Sequence, residues 1–348
     1  MILFDCERMR KPFAGKYTYC KSLAEALVRE SNRRNEPLGL YFPPKAGPFL
    51  EDFYHLDWNR CHQFWLPLGK DIRLFHSASP ISKYYPRFSR VPVLTTIHDL
   101  NFLHYDMDPR KKRQDASRTR AAFRRSARIV TISEDARNDI LAHYDCTGKT
   151  IDVIYNGVDR YEGPVTTPER VPDGPFLLSV CRVTRSKNLQ TLPALLEKND
   201  LRLVIVGKDM KDGHVGEILQ EAGRWGVRDR VILTGGVPEA EKHWYLQHCK
   251  AFLFPSLAEG FGLPVVEAML YGKPVFCSDR TSLPEVGGPF AFYFNHDFEP
   301  RAMQEEFGSG MSAFAAGTVD KAAMLAHARS FSWENAARRY YDIYEQMI

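Results

Sequence analysis

Two carboxylates, Glu259 and Glu267, stand with seven residues between them in Ser256-Leu257-Ala258-Glu259-Gly260-Phe261-Gly262-Leu263-Pro264-Val265-Val266-Glu267-Ala268-Met269. The apolar run Ala251 to Phe254 reads as a buried parallel strand that ends at Pro255 and opens into this loop. Gly260 and Gly262 let the backbone approach a ligand, and Pro264 suits the first position of a helix. Gly272 then supplies a left-handed cap, with Pro274 ahead of the next strand, Val275 to Ser278. Glu259 is expected in the loop and Glu267 in about the first helical turn. The free N–H groups and positive dipole end of such a helix suit a phosphate, while a neighbouring carboxylate can grip sugar or ribose hydroxyls. Acids capping a solvated helix would show the same residue types.

A second cluster of chemistry lies in Arg182-Val183-Thr184-Arg185-Ser186-Lys187-Asn188. Arg182 and Lys187 follow a buried strand, Phe176 to Arg182, and precede a helix from Leu189. Two cations there can neutralise a diphosphate, the arginine bidentately and the lysine as a point charge; a solvated loop is the plainer alternative. His98, in Thr95-Thr96-Ile97-His98-Asp99-Leu100, falls just past the carboxyl end of a strand, where open α/β sheets bind ligands. Gly15 is the one glycine of the basic loop Arg10 to Tyr17 before a helix over about 18–29, as a turn glycine or as a close-approach position.

Other candidates have simpler readings. Asp106 and Asp108 form a D-x-D pair of the kind that holds a divalent metal, but Asp108 directly precedes Pro109 and a long helical run, which N-capping explains. His243 and His248 lie five apart, off one helical face and without a third ligand, so they read as structural. The helix from Pro109 to about Ala127 carries eight lysines and arginines, with Arg128 just beyond, against the single acid Asp115. Such a segment docks on anionic headgroups or on a phosphorylated acceptor, or forms a solvated face. Aromatic interleaving is poor, which disfavours nucleic acid.

The elements that must position these groups alternate as strand and helix. Strands are legible at 2–4, 38–42, 72–75, 93–97, 129–132 and 151–154, then at 201–206 and 231–234, which is the pattern of parallel sheets. Asn156-Gly157-Val158-Asp159 reads as a turn. Four prolines between Pro164 and Pro175 mark a domain boundary. Two domains are expected, 1–165 and 166–332, with a C-terminal amphipathic helix from Trp333 whose apolar face is Ala337, Tyr340, Tyr341 and Tyr344.

At 348 residues the chain exceeds one comfortable core, and its 44% hydrophobic and 26% charged content is that of a globular protein. A net charge of +4 is too mild to argue for nucleic acid by itself. Seven scattered cysteines without a C-x-x-C favour reduced thiols over disulfides or zinc. No apolar run reaches the ~18–20 residues of a membrane span, and Asp5, Glu7 and Arg8 occupy what would be the apolar part of a signal peptide. The expected location is the cytoplasm, with peripheral contact at the inner membrane face open to the basic helix.

Glu-Gly-Phe-Gly-Leu-Pro-Val-Val-Glu-Ala-Met resembles the two-glutamate signature of retaining, nucleotide-sugar-dependent glycosyltransferases of family four, and its context is similar to that of bacterial mannosyltransferases of polysaccharide and lipopolysaccharide biosynthesis. The resemblance implies a GT-B fold: two Rossmann-like domains facing across a cleft, 1–165 for the acceptor and 166–332 for the nucleotide sugar, with helix 333–348 crossing back to the first. It implies transfer of a hexose to a glycan or glycolipid hydroxyl. GDP-mannose is the favoured donor and UDP-sugars stay open, with no cofactor and no metal. By the same resemblance His98, Glu259, Arg182 and Lys187 serve catalysis, and Gly15, Gly260, Phe261, Gly262, Leu263 and Glu267 bind substrate. Thr281 and Ser282 would fall in a loop near phosphate. Cys181 departs from the family's glycine before the arginine, with Arg185 as a partial stand-in. Nucleotide-sugar 2-epimerases share the fold, and a catalytically silent partner subunit is the reading outside enzymes.

Overall fold

A computed structural model of the protein describes residues 1–10, 15–43, 54–105 and 107–348. Residues 11–14 of the basic loop and Asp106 of the D-x-D pair lie outside these. The chain divides into one unit of Met1–Asp159 with Phe331–Ile348 and another of Arg160–Ser330.

The first unit holds β1 (Ile2–Asp5), β2 (Leu38–Phe42), β3 (Tyr54–Asp57), β4 (Leu74–Ser77), β5 (Val93–Ile97), β6 (Arg128–Thr131) and β7 (Thr150–Val153), with helices α1 (Gly15–Arg34), α2 (Pro109–Arg125) and α3 (Glu134–His143). All pairings are parallel, in the order β3-β2-β1-β4-β5-β6-β7, so the strand order reverses between β1 and β4. The continuous apolar character of Ile2, Leu3, Phe4, Leu74, Phe75, Leu94 and Ile97 follows from burial on both faces of the sheet. Helix α1 includes Gly15, three residues ahead of the expected start near Thr18. Asp108 accepts from Arg110 N at 3.0 Å and caps α2, with Pro109 in its first turn. Ser133 caps α3 through Ala136 N.

The second unit holds β8 (Phe176–Val180), β9 (Arg202–Val206), β10 (Val231–Gly235), β11 (Ala251–Phe254), β12 (Val275–Ser278) and β13 (Phe292–Phe294). Its sheet is parallel throughout, in the order β10-β9-β8-β11-β12-β13, and reverses between β8 and β11. Helices α4 (His214–Arg224), α5 (Glu239–His248), α6 (Leu263–Leu270), α7 (Leu283–Gly287), α8 (Pro300–Ala315) and α9 (Lys321–Ser330) complete the unit around a core that includes Leu177, Leu203, Ile205, Leu253 and Phe276. The expected helix from Leu189 is a 3-10 helix, Leu189–Leu196, with Pro193 inside it.

The last helix, α10 (Trp333–Met347), belongs to the first unit. Its Ala337, Tyr340, Tyr341 and Tyr344 are all buried, as the apolar face requires. Tyr340 Oη lies 2.9 Å from Tyr19 Oη and 3.0 Å from Thr96 Oγ1, and Tyr344 Oη lies 2.7 Å from His76 Nδ1. Asn156–Asp159 is not a turn. It lies against the start of α10: Val158 N donates to Phe331 O at 3.0 Å, and a Cβ on Gly157 would fall 2.2 Å from Trp333 N. The glycine is there for close approach of the C-terminal segment, not for turn geometry.

Candidate active site

In the second unit the reversal of strand order brings the loops after β8 and β11 side by side, the place where such sheets bind ligands. They are stitched together at Ser186, whose carbonyl accepts from Leu257 N at 2.9 Å and from Ser256 Oγ at 3.1 Å. From the other side Thr281 Oγ1 accepts from Glu259 N at 2.9 Å, and the buried Ser282 hydroxyl meets the carbonyls of Glu259 and Phe261 at 3.0 and 3.1 Å. Five loop residues, 257–261, are thereby held from both ends. Thr281 and Ser282 thus fix the backbone that presents Glu259.

Gly262 sits at the N-cap of α6 with φ 105°, and an added Cβ would lie 2.7 Å from Leu283 Cδ2, so both backbone and packing require glycine. Leu263 is the first residue of α6 and Pro264 follows within the first turn. Phe261 is buried and Gly260 half-buried. Gly272, at φ 65°, closes the helix. Glu267 is the fifth residue of α6, just past the first turn, because the helix begins at Leu263, one residue ahead of Pro264.

The side chains of Glu259 and Lys187 form an ion pair, and each is only 14% exposed. The Lys187 ammonium also stands 5.2 Å from the centre of the Phe254 ring. Glu267 pairs with a residue the sequence did not single out: Lys242 Nζ, on α5, is 3.1 Å from Glu267 Oε1 and 2.6 Å from Glu239 Oε2. Both carboxylates of the two-glutamate stretch are therefore held by a lysine from another element. Nothing in the local sequence announces Lys242; only the fold brings this side chain of α5 to Glu267.

Arg182, in the loop after β8, is exposed and makes no hydrogen bond or ion pair among the described residues. Arg185 Nε lies 2.9 Å from Glu217 Oε1 in an exposed ion pair. Cys181 is packed tightly: a Cβ on Gly207 would fall 1.6 Å from the Cys181 carbonyl oxygen, and burial pushes its thiol up to about 11. His214, buried behind the loop, accepts from Leu189 N at 3.2 Å and donates from Nδ1 to Glu217, so one neutral tautomer fixes the start of the 3-10 helix. His243 stacks on Tyr161 at 4.2 Å and bonds Tyr271 Oη at 2.8 Å, in keeping with a structural role.

His98 and Gly15 belong to the first unit. His98 Nε2 is 2.8 Å from the Ala78 carbonyl, and the ring meets Tyr19 edge-on at 4.5 Å. Burial first, then the Lys16 charge, lower its pKa to about 4. The ring is neutral at pH 7, with Nε2–H donating to the carbonyl and Nδ1 left as an acceptor suited to a hydroxyl. Gly15 is exposed, and among the described residues a Cβ there would meet nothing within 4 Å. Among the described residues no three His, Cys, Asp or Glu side chains converge as a metal site.

The arrangement supplies a cationic loop, an oriented carboxylate and a helix N-terminus at one sheet reversal. Residues 167–296 match the family described as Glycosyl transferases group 1, and residues 18–161 match Glycosyltransferase Family 4. The serotype-specific mannosyltransferase WbdA of Escherichia coli is 30% identical over 237 residues, which cover 62% of this chain and 28% of that protein. The chain thus spans less than a third of that relative's length. Among solved structures, a sucrose-phosphate synthase from Thermosynechococcus elongatus superposes with a TM-score of 0.74 at 16% identity, covering 99% of this chain and 98% of that one. Anabaena HepE, solved in complex with UDP and glucose, superposes with a TM-score of 0.70 at 18% identity over 99% of both chains. These likenesses show the GT-B fold, two Rossmann-like domains with parallel sheets of seven and six strands.

Proposed function

The chain belongs to the family-four, group 1 glycosyltransferases, and from that premise we propose that it moves a hexose from a nucleoside diphosphate sugar to a hydroxyl of a glycan or glycolipid, with retention at the anomeric carbon. The observation that carries this reading is the Lys187–Glu259 pair at the sheet reversal, which sets an ammonium and a carboxylate side by side before the N-terminus of α6. Lys187 and Arg182, with the first-turn amides of α6, answer the charge that develops on a departing diphosphate. Glu259 and the backbone of Gly260, Phe261, Gly262 and Leu263 orient the sugar, and Glu267 binds ribose. His98, neutral, accepts from a sugar hydroxyl through Nδ1. The incoming hydroxyl attacks the face from which the diphosphate leaves and gives its proton to the leaving phosphate oxygen, so no protein nucleophile is used. Two cations and a helix end supply the positive field that a metal would otherwise give.

Mannose is the favoured sugar and GDP the favoured nucleotide, because a relative that matches over 62% of this chain is named a mannosyltransferase. A lipid-linked glycan is the favoured acceptor class. The test is thermal unfolding with a panel of GDP, UDP and their sugars, with and without EDTA, for the unaltered protein and Lys187→Ala. A shift for one nucleotide, kept in EDTA and lost in the variant, is expected. No shift for any nucleotide overturns the reading. Release of free nucleotide without an acceptor would replace it by epimerisation.

A further inference from the structure

We infer that the first unit docks on an anionic lipid bilayer through the loop 86–91, with Phe88 as the inserted side chain and α2 as its electrostatic flank. Phe88 is 81% exposed, although it lies three residues after Tyr85, which is 2% exposed. The loop between is tight. Arg87 N donates to Tyr85 O at 2.8 Å, Ser89 N to Pro86 O at 3.2 Å and Val91 N to Ser89 Oγ at 3.1 Å. Tyr85 is itself fixed by its hydroxyl on Ser79 O at 3.3 Å, so the phenyl ring of Phe88 is held outward from a buried base.

The surroundings select the partner. Arg87 and Arg90 flank the ring and are exposed, and Arg125, at the end of α2, lies over the Tyr85 ring at 4.4 Å. Arg87 and Arg124 are near enough to act on Arg125 electrostatically. None of Arg87, Arg90, Arg124 or Arg125 pairs with a carboxylate among the described residues. An apolar pocket alone would satisfy the ring but not this row of arginines that meet no carboxylate; an anionic headgroup layer over hydrocarbon satisfies both. Helix α2 cannot insert by itself, because its buried residues, Thr119, Ala122 and Phe123, face the unit's interior and its outer face is cationic. The loop therefore supplies the apolar anchor that the helix lacks. The inference stands apart from the transferase reading, since it uses no donor or acceptor.

The test is co-sedimentation of the full chain with vesicles of phosphatidylcholine alone or with about a third phosphatidylglycerol. The unaltered protein is expected to pellet with the anionic vesicles only. Phe88→Ala should bind roughly tenfold more weakly with an unchanged melting temperature, since the ring makes few contacts in the folded protein. Arg87→Glu with Arg90→Glu should lose far more, as each basic residue near the surface contributes about fivefold. Equal binding to both vesicle types, binding to neither, or Phe88→Ala binding like the unaltered protein would overturn the inference. Because the assay contains no sugar nucleotide, a negative result here leaves the nucleotide panel free to succeed, and the reverse.

Discussion

Lys242 Nζ stands 3.1 Å from Glu267 Oε1, and the same ammonium holds Glu239 at 2.6 Å, so the second glutamate of the pair is oriented by a residue 25 positions upstream. Burial pushes the Lys242 pKa down, yet Glu267 and Glu239 outweigh it and hold the ammonium above its ordinary value. If Glu267 binds ribose, Lys242→Ala should raise the donor KM by roughly tenfold to a hundredfold and change kcat much less, because a charged hydrogen bond to a ground-state ligand contact is lost. Lys242→Arg should recover part of the affinity. Equal losses in kcat and kcat/KM would instead place Glu267 at the transition state.

The Lys187–Glu259 pair makes a different forecast, because both side chains are mostly buried. Removing one partner strands the other away from water. Lys187→Ala and Glu259→Ala should each destabilise the unliganded protein by about 1–3 kcal/mol, and the double variant by less than their sum. Denaturant unfolding of the three variants measures this coupling. Strict additivity would mean that the two charges are independently solvated.

Acid sensitivity follows from buried histidines. Burial lowers His76 to about 3, and burial with Lys16 lowers His98 to about 4. The unfolded chain takes up these protons near the ordinary value of about 6.5, so the fold's preference for neutral rings is fully present above that pH and is lost as pH falls toward 4. Asp5 acts oppositely. Burial raises it to about 7, so the folded state binds its proton first and acidification from 7 favours folding. In denaturant titrations, His98→Asn should flatten the acid loss by up to about 1.4 kcal/mol per pH unit between about 4 and 6.5, and Asp5→Asn should steepen it.

What could be read from the sequence was what local chemistry determines. Strands β11 and β12 are bounded by Pro255 and Pro274, and the end of α6 by Gly272, so punctuation alone placed them. The edge strand β3, Tyr-His-Leu-Asp, has no buried residue and no apolar run, and was invisible. At the site, the residue types of Glu259, Lys187 and Arg182 suggested charge chemistry, but which lysine meets which glutamate depends on how α5 and the 185–187 turn pack, and that lies in no window of sequence. Gly157 shows the same limit: an Asn-Gly string signals a turn locally, while the fold uses the missing side chain to seat Trp333.

Two glycines should respond oppositely to alanine. Gly207 follows β9 and faces the backbone after β8, where an added Cβ would sit 1.6 Å from the Cys181 carbonyl oxygen. Because backbone cannot swing aside as a side chain tip can, Gly207→Ala must separate the exits of two paired strands, at the loop that carries Arg182. A loss of about 3 kcal/mol or more, with loss of nucleotide-induced stabilisation, is expected. Gly15 is the first described residue of α1, no described atom lies within 4 Å of where its Cβ would stand, and alanine is the better helix former. Gly15→Ala should therefore leave stability unchanged or raise it by up to about 1 kcal/mol. The informative measurement is its activity: if turnover falls while the melting temperature holds, the space at Gly15 is kept open for substrate, and if turnover is unchanged, the glycine only starts the helix.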